Sequence, residues 1–296
     1  PLSHLTGVAH AALTKVRAKG VPVGNLVVDA QFKGGKIVAE AWTVNRTVVA
    51  TGTIVVGDGA RCEGCQVDVQ ERLPLILALA GVTLPKSFAG RASGKILIEG
   101  PLTKLVITIE AIGTGVRFGK LVLGDQIWVP KLVYRNKRLE VPEETPLELF
   151  WDLEDTRVTV HGAVPIAVFS KEGQEPIALH LECVKGRMDV LRRLGLIKRA
   201  DGEFAMTLDL GGTTSYPSWS YTLAGSGGRI ELNGHLFGKP ITHWNLDARM
   251  RESEGIIRIT ITVDKQSQVL NGRFSMAGWK LGELDLNTWT EAASGS

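Results

Sequence analysis

Ala92-Ser-Gly-Lys-Ile-Leu-Ile-Glu-Gly-Pro-Leu-Thr-Lys-Leu-Val-Ile-Thr-Ile-Glu-Ala111 decides the fold. On its first side Ile96 and Ile98 alternate with Lys95 and Glu99. On its second side Leu105, Ile107 and Ile109 alternate with Thr108 and Glu110. Alternation with period two puts every apolar side chain on one face of an extended chain, which is the signature of a half-buried strand. Gly100-Pro101 between the two runs is a turn signal, so the stretch predicts an antiparallel hairpin.

The same pattern recurs outward in both directions. Val28, Ala30 and Phe32 alternate with Asp29 and Gln31, and Met206 and Leu208 alternate with Thr207 and Asp209. Leu246 faces away from Asn245 and Asp247, while Ile259 and Ile261 face away from Arg258, Thr260 and Thr262. Glycine clusters such as Lys33-Gly-Gly-Lys36 and Gly225-Ser-Gly-Gly228 separate the runs. Strand follows strand through short turns, so the expected fold is mostly β: one elongated, mainly antiparallel folded sheet. There is no alternation of strands with helices, which argues against Rossmann-type and TIM-type folds. Two segments carry helical spacing instead: Glu71–Ala80, with Leu73, Ile76, Leu77 and Ala80, and Arg187–Leu196, with Val190, Leu191 and Leu194. Each reads as a short amphipathic helix stopped by a glycine, Gly81 or Gly195.

Gly20-Val-Pro-Val-Gly-Asn-Leu-Val-Val-Asp is echoed by Gly115-Val-Arg-Phe-Gly-Lys-Leu-Val-Leu-Gly and more faintly from Gly238. With the two helix-to-strand passages this suggests repeat units of roughly 1–70, 71–186 and 187–296 in one continuous structure that grows by adding strands. The start at Pro1 and the Ala-Ala-Ser-Gly-Ser end lead us to expect a fragment of a longer chain.

Composition agrees with an extensive apolar surface. Hydrophobic residues are 44% of the chain and glycine 34 of its 296 residues. Together they reach about 55%, above the usual 45–50%. The net charge is only +3, and lysines such as Lys95, Lys104, Lys120 and Lys131 are scattered singly. A nucleic-acid binder would concentrate them, so nucleic acid is not an expected partner. The longest apolar run, Leu73–Pro85, is too short to span a bilayer.

Motifs that would carry chemistry fail on their context. Gly113-Thr-Gly115…Gly119 has dinucleotide-like spacing, but β-rich sequence follows it, where that fingerprint needs a helix. Cys62-Glu-Gly-Cys65 lies between alternating runs, away from the helix start that activates a redox pair, and reads as a turn, with a local disulfide if the compartment is oxidising. The carboxylates Glu143, Glu144, Glu148, Asp152, Glu154 and Asp155 sit beside Pro142 and Pro146, in what reads as a solvated loop followed by a strand. Neither an enzyme nor a cofactor or metal site is expected. Tyr216-Pro-Ser-Trp-Ser-Tyr221 is the one aromatic cluster, and it supports the competing reading of a β-sandwich or jelly roll that binds carbohydrate or adheres to surfaces.

The passage from a short helix at 72–81 through Ser87-Phe-Ala-Gly-Arg-Ala-Ser-Gly-Lys-Ile-Leu-Ile-Glu-Gly-Pro-Leu102 into 104–111, with the Gly20/Gly115 echo, resembles the AsmA-like superfamily and within it the TamB-type translocation and assembly proteins. That resemblance implies a β-taco, a long sheet folded lengthwise around an apolar groove. It implies a periplasmic bridge anchored in the inner membrane, phospholipid acyl chains as cargo moving toward the outer membrane, and a TamA-like outer-membrane barrel as partner in outer-membrane biogenesis. The apolar phase of the strands would then line the groove: Val28, Ala30 and Phe32; Ile96 and Ile98; Leu105, Ile107 and Ile109; Met206 and Leu208; Leu246; Ile259 and Ile261.

Overall fold

The computed structural model describes residues 6–18, 20–57, 59–72, 88–118, 121–151, 156–165, 174–193, 199–200, 202–213, 216–226, 230–232, 235–236, 243–251, 253–263, 266–277 and 280–290. Over these residues the chain is nearly all β, and every strand pair with an assigned register is antiparallel. It divides into two units, Pro1–Leu147 and Glu148–Ser296. The division falls inside the expected middle repeat. The Gly20 and Gly115 copies also occupy different places, the first opening a strand and the second lying within one.

The first unit is a meander of β1 (Gly7–Ala18), β2 (Val21–Lys33), β3 (Lys36–Thr43), β4 (Val48–Val55), β5 (Arg61–Arg72), β6 (Phe88–Pro101), β7 (Val106–Phe118), β8 (Leu121–Arg135) and β9 (Arg138–Val141). Each strand pairs with the next. The Lys33–Lys36 hairpin works because Gly34 and Gly35 both adopt positive φ, 58° and 75°. That is the two-residue turn whose twist matches the strands. The β8–β9 turn uses the same geometry with Asn136 and Lys137, at φ 50° and 61°. The quoted hairpin is β6–β7, with Ile96 opposite Ile109 and Ile98 opposite Ile107.

The second unit holds β10 (Leu147–Trp151), β11 (Thr156–Pro165), β12 (Ala178–Arg187), α1 (Met188–Arg193), β13 (Arg199–Ala200), β14 (Glu203–Gly212), β15 (Pro217–Ser226), β16 (Ile230–Leu232), β17 (His235–Leu236), β18 (His243–Arg251), β19 (Glu254–Val263), β20 (Gln266–Ala277) and β21 (Lys280–Thr290). The main ladder runs β11, β12, β14, β15, β18, β19, β20, β21. Strands β13, β16 and β17 form a separate small sheet.

Two sequence expectations need correction. The sequence suggests two amphipathic helices; among the described residues there is one, α1, shorter than Arg187–Leu196. Arg187 still belongs to β12, its N–H bonded to Thr156 Oγ1 at 2.8 Å. What buries α1 is its first turn, where Met188 and Val190 are each 1% exposed among Trp151, Val158, Cys183 and Phe204. Of the other expected helix, Glu71 and Arg72 end β5 opposite Ala92 and Arg91, and 73–80 lie outside the described residues.

The second correction concerns Cys62–Cys65, which is a β-bulge inside β5 rather than a turn. Pairing with β4 jumps from Thr51–Gln66 to Thr53–Glu63, and Gly64 takes φ 58°. A bulge bends a strand without ending it, so the alternating runs on both sides belong to one element.

Candidate functional site: the apolar sheet faces

Directly opposed residues in an antiparallel ladder point to the same side of the sheet, so the registers allow each face to be read across strands. In the first unit one line runs Ala11, Val28, Ala41, Ala50, Val67, Ile96, Ile109, Leu132, from β1 to β8 without a polar residue. Beside it, all on the same flank, lie Ile98, Ile107 and Tyr134, two residues along their strands from the line, and Phe32, Ile37 and Ile54, four residues along theirs. The opposite face carries His10, Asp29, Glu40, Thr51 and Gln66 in one line.

The second unit repeats the arrangement. One line runs Val160, Leu181, Leu208, Tyr221, Ala248, Ile257, Gly272. Next to it run Cys183, Met206, Leu223, Leu246, Ile259, Leu270. The reverse face carries His180, Asp209, Ser220, Arg249, Ile256 and Arg273 in one line.

Of the thirteen sequence-predicted lining residues, all but Leu105 have register partners that put them on these apolar faces. Val28, Ile96 and Ile109 share one line, Ile98 and Ile107 the next, and Ala30 and Phe32 lie on Val28's face two and four residues along β2. Leu105 immediately precedes β7. Met206, Leu246 and Ile259 share a line, with Leu208 and Ile261 on the lines beside it. Only Ile96, Ile107 and Ile109 are fully buried; the others are half-buried. The faces are thus shielded but not packed shut.

Both faces are concave. In the first unit Val21 and Val23 of β2 pack against a cluster built from β4 to β7, although β2 is registered only with β1 and β3. In the second, Trp219 of β15 stacks on Phe274 of β20 with ring centroids 5.5 Å apart. Three strand steps separate them, about 14 Å on a flat sheet.

Glycine under aromatic rings makes this curvature possible, a feature the sequence reading missed. Gly186, Phe204, Gly225 and Trp244 alternate along one cross-strand line, and Gly255 faces Phe274 on another. A Cβ built on Gly225 would lie 2.1 Å from Trp244 Cε2, and one on Gly255 would lie 2.1 Å from Phe274 Cζ. The rings lie flat over the glycine backbone and pave the face instead of standing up from it. The sequence reads Gly225 as part of a turn; it lies instead within β15, and only the register shows it facing Trp244.

The local electrostatics match an apolar floor. Burial pushes the Tyr221 hydroxyl up to about 12 and the Cys183 thiol up to about 11. Both disfavour charge because the surroundings cannot solvate it.

Polar groups on the reverse face and at the unit's start do not assemble a reactive site. His180 Nδ1 lies 2.6 Å from Asp209 Oδ1, and Ser220 donates to Asp209 Oδ2 at 3.2 Å. The aspartate therefore stands between histidine and serine, whereas a nucleophile needs its base in contact. Glu148 is buried and neutralised by Arg157, a structural pair. Glu143 and Glu144 are exposed, and Asp152, Glu154 and Asp155 lie outside the described residues. Gly113 and Gly115 lie within β7. Of the aromatic cluster, Trp219 and Tyr221 belong to the apolar face and Tyr216 is exposed. No group of three or more potential metal ligands occurs among the described residues, and no helix there is long and apolar enough to cross a membrane. Compared with protein-family models, curated proteins and solved structures, the chain matches none.

Proposed function

We propose that the chain carries lipid acyl chains along its concave apolar faces, as part of a periplasmic, inner-membrane-anchored bridge that delivers phospholipid toward the outer membrane and serves outer-membrane biogenesis with a TamA-like barrel. The observation that supports this most is the unbroken line from Ala11 to Leu132, apolar at every strand and largely half-buried. Seven strand steps give about 34 Å along the sheet, roughly twice the 15 Å depth of one leaflet's hydrocarbon. An acyl tail fits such a line with room to slide.

The energetics favour this use. Moving a tail through water exposes about 0.8 kcal/mol per CH₂, on the order of 13 kcal/mol for a sixteen-carbon chain. A trough of aliphatic side chains removes most of that cost without a fixed polar site, so movement meets no deep trap. A β-taco in the AsmA-like manner, to which the sequence shows resemblance, uses the same physics.

The test is site-specific photo-crosslinking in cells, followed by mass spectrometry of the purified protein. A crosslinker at Ile107 or Ile259 is expected to capture phospholipid. Capture from Thr108 and Thr260 alone, on the reverse faces, would overturn the proposal.

A further inference from the structure

Residues three apart in a regular strand face opposite sides. Cys62 and Cys65 do not, because the β5 bulge inserts one extra residue between them. Cys62 stands opposite Ile54 and Cys65 opposite Ile98, and both of those belong to the apolar face. The Cys65 side chain lies close enough to act on the Cys62 thiol, and Cys65 Sγ donates to the Thr53 carbonyl at 3.5 Å. Gly52 across the ladder leaves the room, since a Cβ there would lie 2.6 Å from Cys65 Sγ. Gly64 supplies the turn of the bulge at φ 58°. Bulge, glycine and register together hold two free thiols side by side on the sheet.

We propose that Cys62 and Cys65 form a modification site, an oxidisable dithiol that closes to an intrachain disulfide by exchange with a glutathione-class disulfide. One cysteine thiolate attacks a sulfur of the oxidant, forming a mixed disulfide and releasing one oxidant thiolate. The second cysteine thiolate then attacks the protein sulfur of that mixed disulfide and releases the other. The two protons lost by the cysteines go to the two released thiolates. The protein dithiol is oxidised by two electrons, and the oxidant disulfide is reduced to two thiols. Burial and the Cys65 neighbour hold the Cys62 thiol up at about 11, so exchange is slow near neutrality and quickens as pH rises. Closure pins the bulge and with it the bend of β5. This inference does not depend on the lipid reading.

The experiment exposes the full chain to oxidised glutathione, quenches in acid, alkylates and digests with trypsin. Arg61 and Arg72 bound a single peptide that holds both cysteines. The expected product is that peptide two hydrogens lighter and unalkylated, with Cys183 left free because it is 1% exposed. A peptide bearing glutathione on both cysteines, one alkylated on both, or disulfide-linked dimers would overturn the proposal. Cys62→Ser should accumulate a glutathione adduct on Cys65, and failure to do so also counts against it. Gly64→Val, which disfavours the left-handed residue, should slow closure roughly tenfold or more. Undiminished closure in that variant with an unchanged circular dichroism spectrum would sink the role of the bulge.

Discussion

Gly225→Ala places a methyl carbon where Trp244 already sits: 2.1 Å from Cε2, 2.2 Å from Cζ2 and 2.3 Å from Nε1. None of these is the tip of a flexible chain, so the indole must tilt off the sheet. Overpacking of this kind costs about 1–3 kcal/mol, while alanine in a strand recovers roughly 0.5–1 kcal/mol of backbone entropy. The net expectation is a loss of about 1–2 kcal/mol, read as a lower urea midpoint by tryptophan fluorescence. It corresponds to a fall in Tm of about 2–8 °C for a unit of this size. Gly7→Ala is the control, because nothing lies within 4 Å of a Cβ there. In a Trp244→Ala background the penalty of Gly225→Ala should vanish or reverse, since the clashing ring is gone. The tilted ring would also stand into the trough and reduce lipid captured from Ile259. If Gly225→Ala is as stable as the parent, the flat-ring account of the concave face is wrong.

Other outcomes follow from the same structure. Ile96→Ala, at a side chain 2% exposed in the first unit's core, should cost about 2–5 kcal/mol in denaturant unfolding, more than the same change at half-buried Ile98. Arg157→Ala strands the Glu148 carboxylate in the interior and should destabilise by about 1–3 kcal/mol; Glu148→Gln, which leaves only an exposed arginine, should cost less. The hydrogen bond from His180 beside it, then that from Ser220, holds the Asp209 carboxyl below the usual carboxylate range. Its folded pKa is depressed, so the pair's contribution is present above the ordinary carboxylate pKa and lost as pH falls through the lowered one. In an NMR titration, His180→Asn should bring Asp209 back up toward the ordinary value. On the lipid proposal, adding short-chain phospholipid at one hundred times its Kd should raise stability by about 2.7 kcal/mol, read as a higher Tm.

Strand existence was largely legible because alternation is a local property of the chain. Ile96, Ile98, Ile107 and Ile109 announce their face from sequence alone, and β6–β7 pairs them as the hairpin reading requires. What escaped is what depends on register. The Cys62–Cys65 segment looks like a turn because Gly64 interrupts alternation, and only the jump from Thr51–Gln66 to Thr53–Glu63 distinguishes a bulge. Asn136-Lys137 makes a tight turn with a lysine in the left-handed region, a choice that side-chain chemistry does not advertise. Helical spacing in Arg187–Leu196 placed the helix start one residue early: α1 begins at Met188, and its first turn is buried where Met188 and Val190 insert beside Trp151 and Phe204.

A sheet that closes on itself as a sandwich buries its inward side chains fully, and large residues standing perpendicular fill the space. Here Phe204 and Trp244 are laid down over Gly186 and Gly225, and Phe274 over Gly255. Volume that would fill a closed core is spread along the sheet instead. Met206, Leu223, Leu246, Ile259 and Leu270 stay half-buried in consequence. Leaving them so forgoes burial worth about 25 cal/mol per Å², a standing penalty that an apolar occupant would relieve. On the proposed lipid reading, the second unit's flattened rings and half-buried lines serve the same occupant, and a substitution that stands a ring up should disturb packing and lipid capture together.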